Sequence, residues 1–250
     1  MKIPVSLELR AFDSTDAVRV REWRNHYSIW RYCRQNDLIS DVAQTAWYER
    51  QSKDPSIKMY GLWLKVAAGA ELVGVAGLTS IDWFNRRAEF SLYLNPEKHR
   101  QGLGSSGLRM LLAHAFDNLA LEQVWGETLE GNPAMAIFQA IGFKQDGTRR
   151  AFYWKDGRFW DAHLISITRE EWHGHRTRAA TPDHAGDAGN DAGALEAAGD
   201  PARRQGGKRG RRPRGVAALV AGADHAADAG SRPGRRDGSE AREAGQGEGA

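Results

Sequence analysis

From Ser6 to Trp172 the chain switches repeatedly between the two-residue alternation of a half-buried strand and the three-to-four-residue recurrence of an amphipathic helix. Ser6 to Phe12 alternates as a strand, and Asp13-Ser14-Thr15-Asp16 supplies cap chemistry for a helix through Val18, Val20 and Trp23. After a loop with a short helix, Ile39-Ser40-Asp41 opens a second helix, with Ala43, Trp47 and Tyr48 at helical spacing until Asp54-Pro55 stops it. Met59 to Ala67 and Glu71 to Ile81 read as strands joined by an Ala-Gly-Ala turn, and Arg87 to Leu94 as a third after the Phe84-Asn85-Arg86 bend. An antiparallel meander follows from that order.

Beyond Asn95-Pro96 lies a glycine-containing loop, Arg100 to Gly107, that runs into an apolar helix over Leu108 to Phe116. Gln123 to Leu129 predicts a strand, Pro133 to Ala140 a helix, and Gly142-Phe143 its stop. Thr148 to Tyr153 and Trp160 to Ile167 predict a hairpin across Lys155 to Arg158. Strands and helices are mixed, so the fold class is α/β (α+β).

Composition divides the chain. Every Trp, Tyr and Phe lies at or before Trp172, and the remaining stretch, 173–250, is almost wholly Ala, Gly, Arg, Asp, Glu and Pro. Such a stretch cannot bury enough apolar surface to offset chain entropy, so one domain over 1–172 and a disordered tail over 173–250 are expected. The tail's basic run, Arg203 to Arg214, reads as solvated. A net charge of +3 gives no reason to expect a nucleic-acid partner. One cysteine, Cys33, leaves neither a disulfide nor a zinc cluster, so no metal is expected. The start lacks a secretion signal's apolar core and nowhere do eighteen apolar residues run together, which together predict a cytoplasmic protein without a membrane partner.

The glycine loop carries the strongest chemistry. Gly102 and Gly104 allow the backbone to approach a ligand, and amides at a helix start favour phosphate oxygens through hydrogen bonds and the helix dipole. A Gly-x-Gly before a helix is also compatible with a simple turn. The Walker ending is missing, and the loop follows several strands rather than the first, unlike a Rossmann fingerprint.

His99-Arg100-Gln101-Gly102-Leu103-Gly104 resembles the Arg/Gln-x-x-Gly-x-Gly/Ala motif of the GNAT superfamily of N-acetyltransferases. Arg87 to Leu94 looks like that family's fourth strand, Gly126 to Asn132 its fifth, and Ile141-Gly142-Phe143 the customary end of the next helix. Trp23-Arg24-Asn25, Ile39-Ser40, Trp47-Tyr48, Ile81-Asp82 and Lys155-Asp156-Gly157 are similar to its ribosomal-protein-acetylating branch and the nucleotide-amino-sugar relatives.

That resemblance implies a mainly antiparallel sheet of about seven strands, flanked by helices and splayed between strands 4 and 5. It also implies direct transfer from acetyl-CoA to a small-molecule amine. Leu92, Tyr93 and Leu94 would pair through their backbone with pantetheine. Donors of Arg100, Gln101, Gly102, Leu103, Gly104, Ser105 and Ser106 would take the pyrophosphate, and Asn132 would bond near the thioester unless it serves only to start a helix. A neutral amine is required for attack, so a base is useful; Glu89 and Glu127 lie on central strands at positions where family members carry one. A salt bridge to Arg86 or Arg87 is the alternative for Glu89, and a structural or substrate contact for Glu127. An N–H of the Tyr93 region would hold the oxyanion.

Phe138, counted with the cofactor-binding residues, stands where many family members place a Tyr that protonates the leaving thiolate; water or Tyr93 could substitute. Trp83, Phe84, Tyr153, Trp154 and Trp160 fall in segments that line the acceptor pocket, although packing explains any one of them. His99 and His114 read as packing or exposed residues. A nucleotide-linked amino sugar is the preferred acceptor, with a protein N-terminal or lysine acetyltransferase and a catalytically weak acyl-CoA-binding module as alternatives. A second copy of the chain is a candidate partner.

Overall fold

The structure is a computed structural model that describes residues 6–67 and 69–180, with side chains through 176. Seven strands form one sheet in the order β1-β2-β3-β4-β5-β7-β6, with β1 (Leu7–Ala11), β2 (Lys58–Val66), β3 (Gly69–Asp82), β4 (Arg87–Leu94), β5 (Gln123–Leu129), β6 (Lys144–Lys155) and β7 (Arg158–Thr168). All neighbours run antiparallel except β4 and β5. Short turns connect the antiparallel meander, whereas the parallel step requires a crossover, supplied by α4 (Leu103–Ala113).

The back of the sheet carries α4, α5 (Met135–Ile141) and the buried Trp172 of α6 (Arg169–Ala180), which enclose Phe90, Leu92, Leu94, Leu108, Leu111, Phe116 and Phe138. On the front lie α1 (Ser14–Asn25), α2 (Tyr27–Trp30) and α3 (Asp41–Gln51), whose Val20, Trp23, Ile29 and Trp47 pack with Val75 and Tyr93. Side chains alternate between faces along a strand, so Ala88, Phe90, Leu92 and Leu94 face the back core while Glu89, Ser91 and Tyr93 face the front.

Three elements differ from the sequence pattern. α4 begins at Leu103 rather than Leu108, because Gly102 caps it at φ +76° and Ser105 Oγ donates to the Gly102 carbonyl, 2.9 Å away. The regular helix stops at Ala113, and the chain winds on through a wider π turn over His114–Asn118. α6 starts where Thr168 and Glu171 cap one another: Thr168 N–H donates to Glu171 Oε2 at 2.9 Å and Glu171 N–H to Thr168 Oγ1 at 3.3 Å. It runs past Trp172 to Ala180, and the rest of the expected tail, 181–250, lies outside the described residues. Among the described residues no helix is long and apolar enough to cross a membrane.

Candidate active site

β4 and β5 stay in register over only three pairs, Arg87–Gln123, Ala88–Val124 and Glu89–Trp125, and then part. β4 remains paired with β3 as far as Leu94, and β5 with β7 as far as Leu129. Each strand therefore keeps one bonded edge beyond the third pair and turns the other edge into a wedge-shaped gap. Leu92 and Leu94 bury their side chains in the back core, and Tyr93 buries its own in the front, so these residues have only backbone to offer the gap.

At the far end of β4 the chain turns through Arg100 at φ +65° and Gly102 at φ +76° into α4. Nothing lies within 4 Å of a Cβ built on Gly102, so its glycine is needed for the left-handed backbone rather than for space. The amides of Leu103, Gly104 and Ser105 begin the helix and have no intrahelical acceptor. Arg100, Gln101 and Gly102 are exposed, Ser105 and Ser106 half-buried, and Leu103 and Gly104 buried. This exposed helix start beside an unpaired strand edge fits a diphosphate followed by an extended amide-bearing arm. Among the described residues no cluster of three or more His, Cys, Asp or Glu could hold a metal ion.

The front face gathers charges that the sequence did not pair. Glu89 is held by Arg34, with Nη1 2.9 Å from Oε1 and Nη2 3.3 Å from Oε2. Arg86 instead pairs with Glu122 at 2.8 Å and Arg87 lies beside Asp82 at 3.5 Å, so neither is Glu89's partner. Glu127 accepts from Arg149 Nη1 on Oε2 at 2.9 Å, while its Oε1 is buried without a hydrogen-bond partner. Two residues past the Glu89–Trp125 pair on each diverging strand stand Ser91 and Glu127, on the same face. Ser91 is fully buried, and its Oγ too has no hydrogen-bond partner. Two orphaned oxygens thus flank the mouth of the gap. Neither Ser91 nor the two arginines had a signal in the sequence, since their meaning arises from strand register and from contacts across the fold.

Tyr93 is buried against Arg24, whose guanidinium lies 5.2 Å from the ring centroid. Burial pushes its phenol far above the ordinary value, so it keeps its proton through the alkaline range and is a poor donor to a thiolate. Asn132 spends its amide locally: Oδ1 accepts from Ala134 N–H at 3.0 Å, and Nδ2 donates to Thr128 Oγ1 at 2.9 Å. That is helix-initiating geometry. Phe138 lies wholly in the back core, with its ring 5.3 Å from that of Phe90 and 6.0 Å from that of Phe143. His99 is buried, Nε2 facing the Leu94 carbonyl at 3.4 Å, and burial lowers its pKa; His114 meets the Tyr60 hydroxyl at 2.9 Å.

Below the third strand pair, a cleft of about 480 Å³ is lined by Asp82, Arg87, Trp125, Asp146, Arg149 and Leu164, among others. None of Trp83, Phe84, Tyr153, Trp154 and Trp160 lines this cleft. Trp83 donates to the Pro55 carbonyl, Phe84 is 93% exposed, and Trp160 is buried with its N–H on the Lys155 carbonyl. Trp125 supplies the aromatic wall instead.

A family model described as an acetyltransferase (GNAT) domain matches residues 6–144. Spermidine N(1)-acetyltransferase of Escherichia coli (strain K12) is 24% identical over 67% of this chain and 88% of its own length. YdaF of Bacillus subtilis (strain 168), provisionally named a ribosomal N-acetyltransferase, is 24% identical over 70% of this chain and 98% of its own. Among solved structures, a Vibrio cholerae spermidine N-acetyltransferase in complex with CoA and spermine superposes with a TM-score of 0.62, at 22% identity, over 67% of this chain and 98% of that one. At that identity the likeness is one of fold.

Proposed function

Since the chain belongs to the GNAT acetyltransferase family and is an acetyl-CoA-dependent N-acetyltransferase, we propose that Glu127 is its base and that its acceptor is a small primary amine bearing an anionic group, such as a nucleotide-linked amino sugar. The observation that carries the first part is the buried, unpartnered Glu127 Oε1, with Ser91 Oγ across the parting strands. Arg34 hydrogen-bonds Glu89 Oε2 and meets Oε1 as an ion pair at 2.9 Å without hydrogen-bond geometry, whereas Arg149 engages only Oε2 of Glu127 and leaves Oε1 to accept a proton.

Acetyl-CoA supplies the thioester. The backbone edge of Leu92, Tyr93 and Leu94 orients its arm, and the amides from Arg100 to Ser106 receive its diphosphate. Glu127 Oε1 takes the ammonium proton of the acceptor, directly or through one water, and leaves the nitrogen lone pair to form the C–N bond as the C–S bond breaks. Ser91 Oγ orients that amine or water. With Phe138 in the core and the Tyr93 proton tightly held, water passes the second proton of the acylated nitrogen to the departing thiolate, which leaves a neutral amide and the free CoA thiol.

The anionic acceptor rests on charge. The buried carboxylates already carry guanidinium partners, and Arg87 and Arg149, each about half exposed, line the cleft beside Trp125. Guanidinium groups and an indole suit a diphosphate and a base. Asp82 and Asp146 line the same cleft and favour a second reading, a polyamine. Release of free CoA from acetyl-CoA with a panel of nucleotide-linked amino sugars, spermidine, spermine and Lys-containing peptides separates them. Highest kcat/KM on the sugars is expected; preference for spermidine overturns the anionic acceptor, and absence of heat on titrating acetyl-CoA into the protein overturns the whole scheme.

A further inference from the structure

Lys155, at the end of β6, is only 3% exposed, yet it is bonded to a segment more than a hundred residues away. Its Nζ donates to the carbonyls of Trp30 at 2.8 Å, Gln35 at 2.8 Å and Cys33, and lies 4.4 Å from the centroid of the Trp30 ring. An ammonium has three protons, and here three carbonyls accept them. Burial pulls its pKa below the ordinary lysine value, so the site holds a cation out of water against a cost that those bonds and the ring offset.

What this cage holds in place is specific. The stretch after α2 forms neither helix nor strand, and its backbone lies in turn and bend conformation. It carries Arg34, which grips Glu89, and Gln35, whose Oε1 accepts from the buried Arg24 beside Tyr93. A second tie joins the same two regions, from the Tyr27 hydroxyl to Asp156 at 3.2 Å. Two of the three carbonyls, those of Cys33 and Gln35, belong to this irregular stretch, and the third, that of Trp30, ends α2 and also accepts the Cys33 N–H at 3.0 Å, so the ammonium ties the loop to the end of the helix.

We propose that Lys155 is a positioning residue: its ammonium folds residues 30–35 around itself and thereby sets Arg34 on Glu89, the β4 member of the last pair before β4 and β5 part. This rests on the acetyltransfer reading for its link to turnover. The loop itself can be tested without any substrate.

Lys155→Ala leaves a cavity the shape of an alkylammonium ion. In that variant, trypsin is expected to cut quickly at Arg31 and Arg34, and acceptor turnover to fall about 100-fold, the size of a misplaced catalytic geometry, with acetyl-CoA affinity close to unchanged. Ethylammonium, and not ethanol, restores both protease resistance and turnover. In an Arg34→Gln background the added loss of turnover from Lys155→Ala shrinks, since both changes act on one contact. Where the alanine variant does not fold, Trp30→Leu removes one wall of the cage and gives the same pattern at smaller amplitude. Unchanged cutting at Arg31 and Arg34 overturns the proposal, as does cutting that spreads over the whole chain and ignores ethylammonium. If the wild-type chain acetylates nothing, the acetyltransfer scheme fails while the proteolysis comparison still decides the role of Lys155.

Discussion

Glu127→Gln and Glu89→Gln remove one charge each from the same face of the same sheet, and the structure expects them to fail in opposite ways. Glu127's partner Arg149 is 47% exposed, so water replaces the lost ion pair and the stability cost is at most about 1 kcal/mol. If Oε1 is the proton acceptor, kcat falls by about 10² to 10⁴, the usual worth of a positioned base. Glu89 and Arg34 are only 5% and 13% exposed at their side chains. Breaking that pair leaves a buried guanidinium uncompensated, at about 3–5 kcal/mol, or roughly 10 °C of Tm for a domain of this size. The measurements are a thermal melt and CoA-thiol release at saturating acceptor. A Glu127→Gln enzyme with near-native kcat, or one that melts far below the Glu89 variant, would refute the assignment.

Gly107 lies where α4 crosses β2, and a Cβ there would stand 2.8 Å from Leu62 Cδ1. Gly107→Ala gains about 1 kcal/mol of helix propensity but overpacks a fully buried leucine by about 1–3, so a net fall in Tm of a few degrees is expected. His99, with a pKa lowered by burial, is neutral in the folded chain while its unfolded form protonates near 6.5. Its contribution is full above pH 6.5 and is lost as pH falls from there to the lowered folded value. A Tm titration from pH 7.5 to 5 should therefore slope less in His99→Gln, and an unchanged slope would discount the residue. Truncation after Ala180 is expected to leave Tm and acetyl-CoA affinity unaltered by melt and calorimetry, and a drop in either would give the tail a structural role.

Local patterns made most of the scaffold legible. The meander, the crossover and the final hairpin follow from alternation, turn residues and the glycine loop, and the GNAT resemblance follows from motifs in their order. α6 had a readable start, the Thr168 to Glu171 capping box, which apolar periodicity alone passed over because, among its described side chains, only Trp172 is buried. The candidate site was half legible. The places of Glu127 and of the glycine turn are visible in the chain because motif and strand coincide there. Asn132 and Phe138 were read from their motif places; in the fold the first bonds Ala134 N–H and Thr128 Oγ1, and the second lies in the back core. The partners of Arg34, Arg149 and Lys155 could not be read, since each gains its meaning from a carboxylate or carbonyl 22 to 125 residues away. No local rule carries such a pairing.

The three-rung contact between β4 and β5 has a mechanical consequence. Strands β1 to β4 form one ribbon and β5 to β7 another, and the border between them is the least laced line in the sheet. A stretching force or a rise in temperature should therefore open the sheet along that line before any other. A ligand seated in the wedge would act as added lacing, so its effect on amide exchange should concentrate at the border and leave the outer strands β1 and β6 as they were.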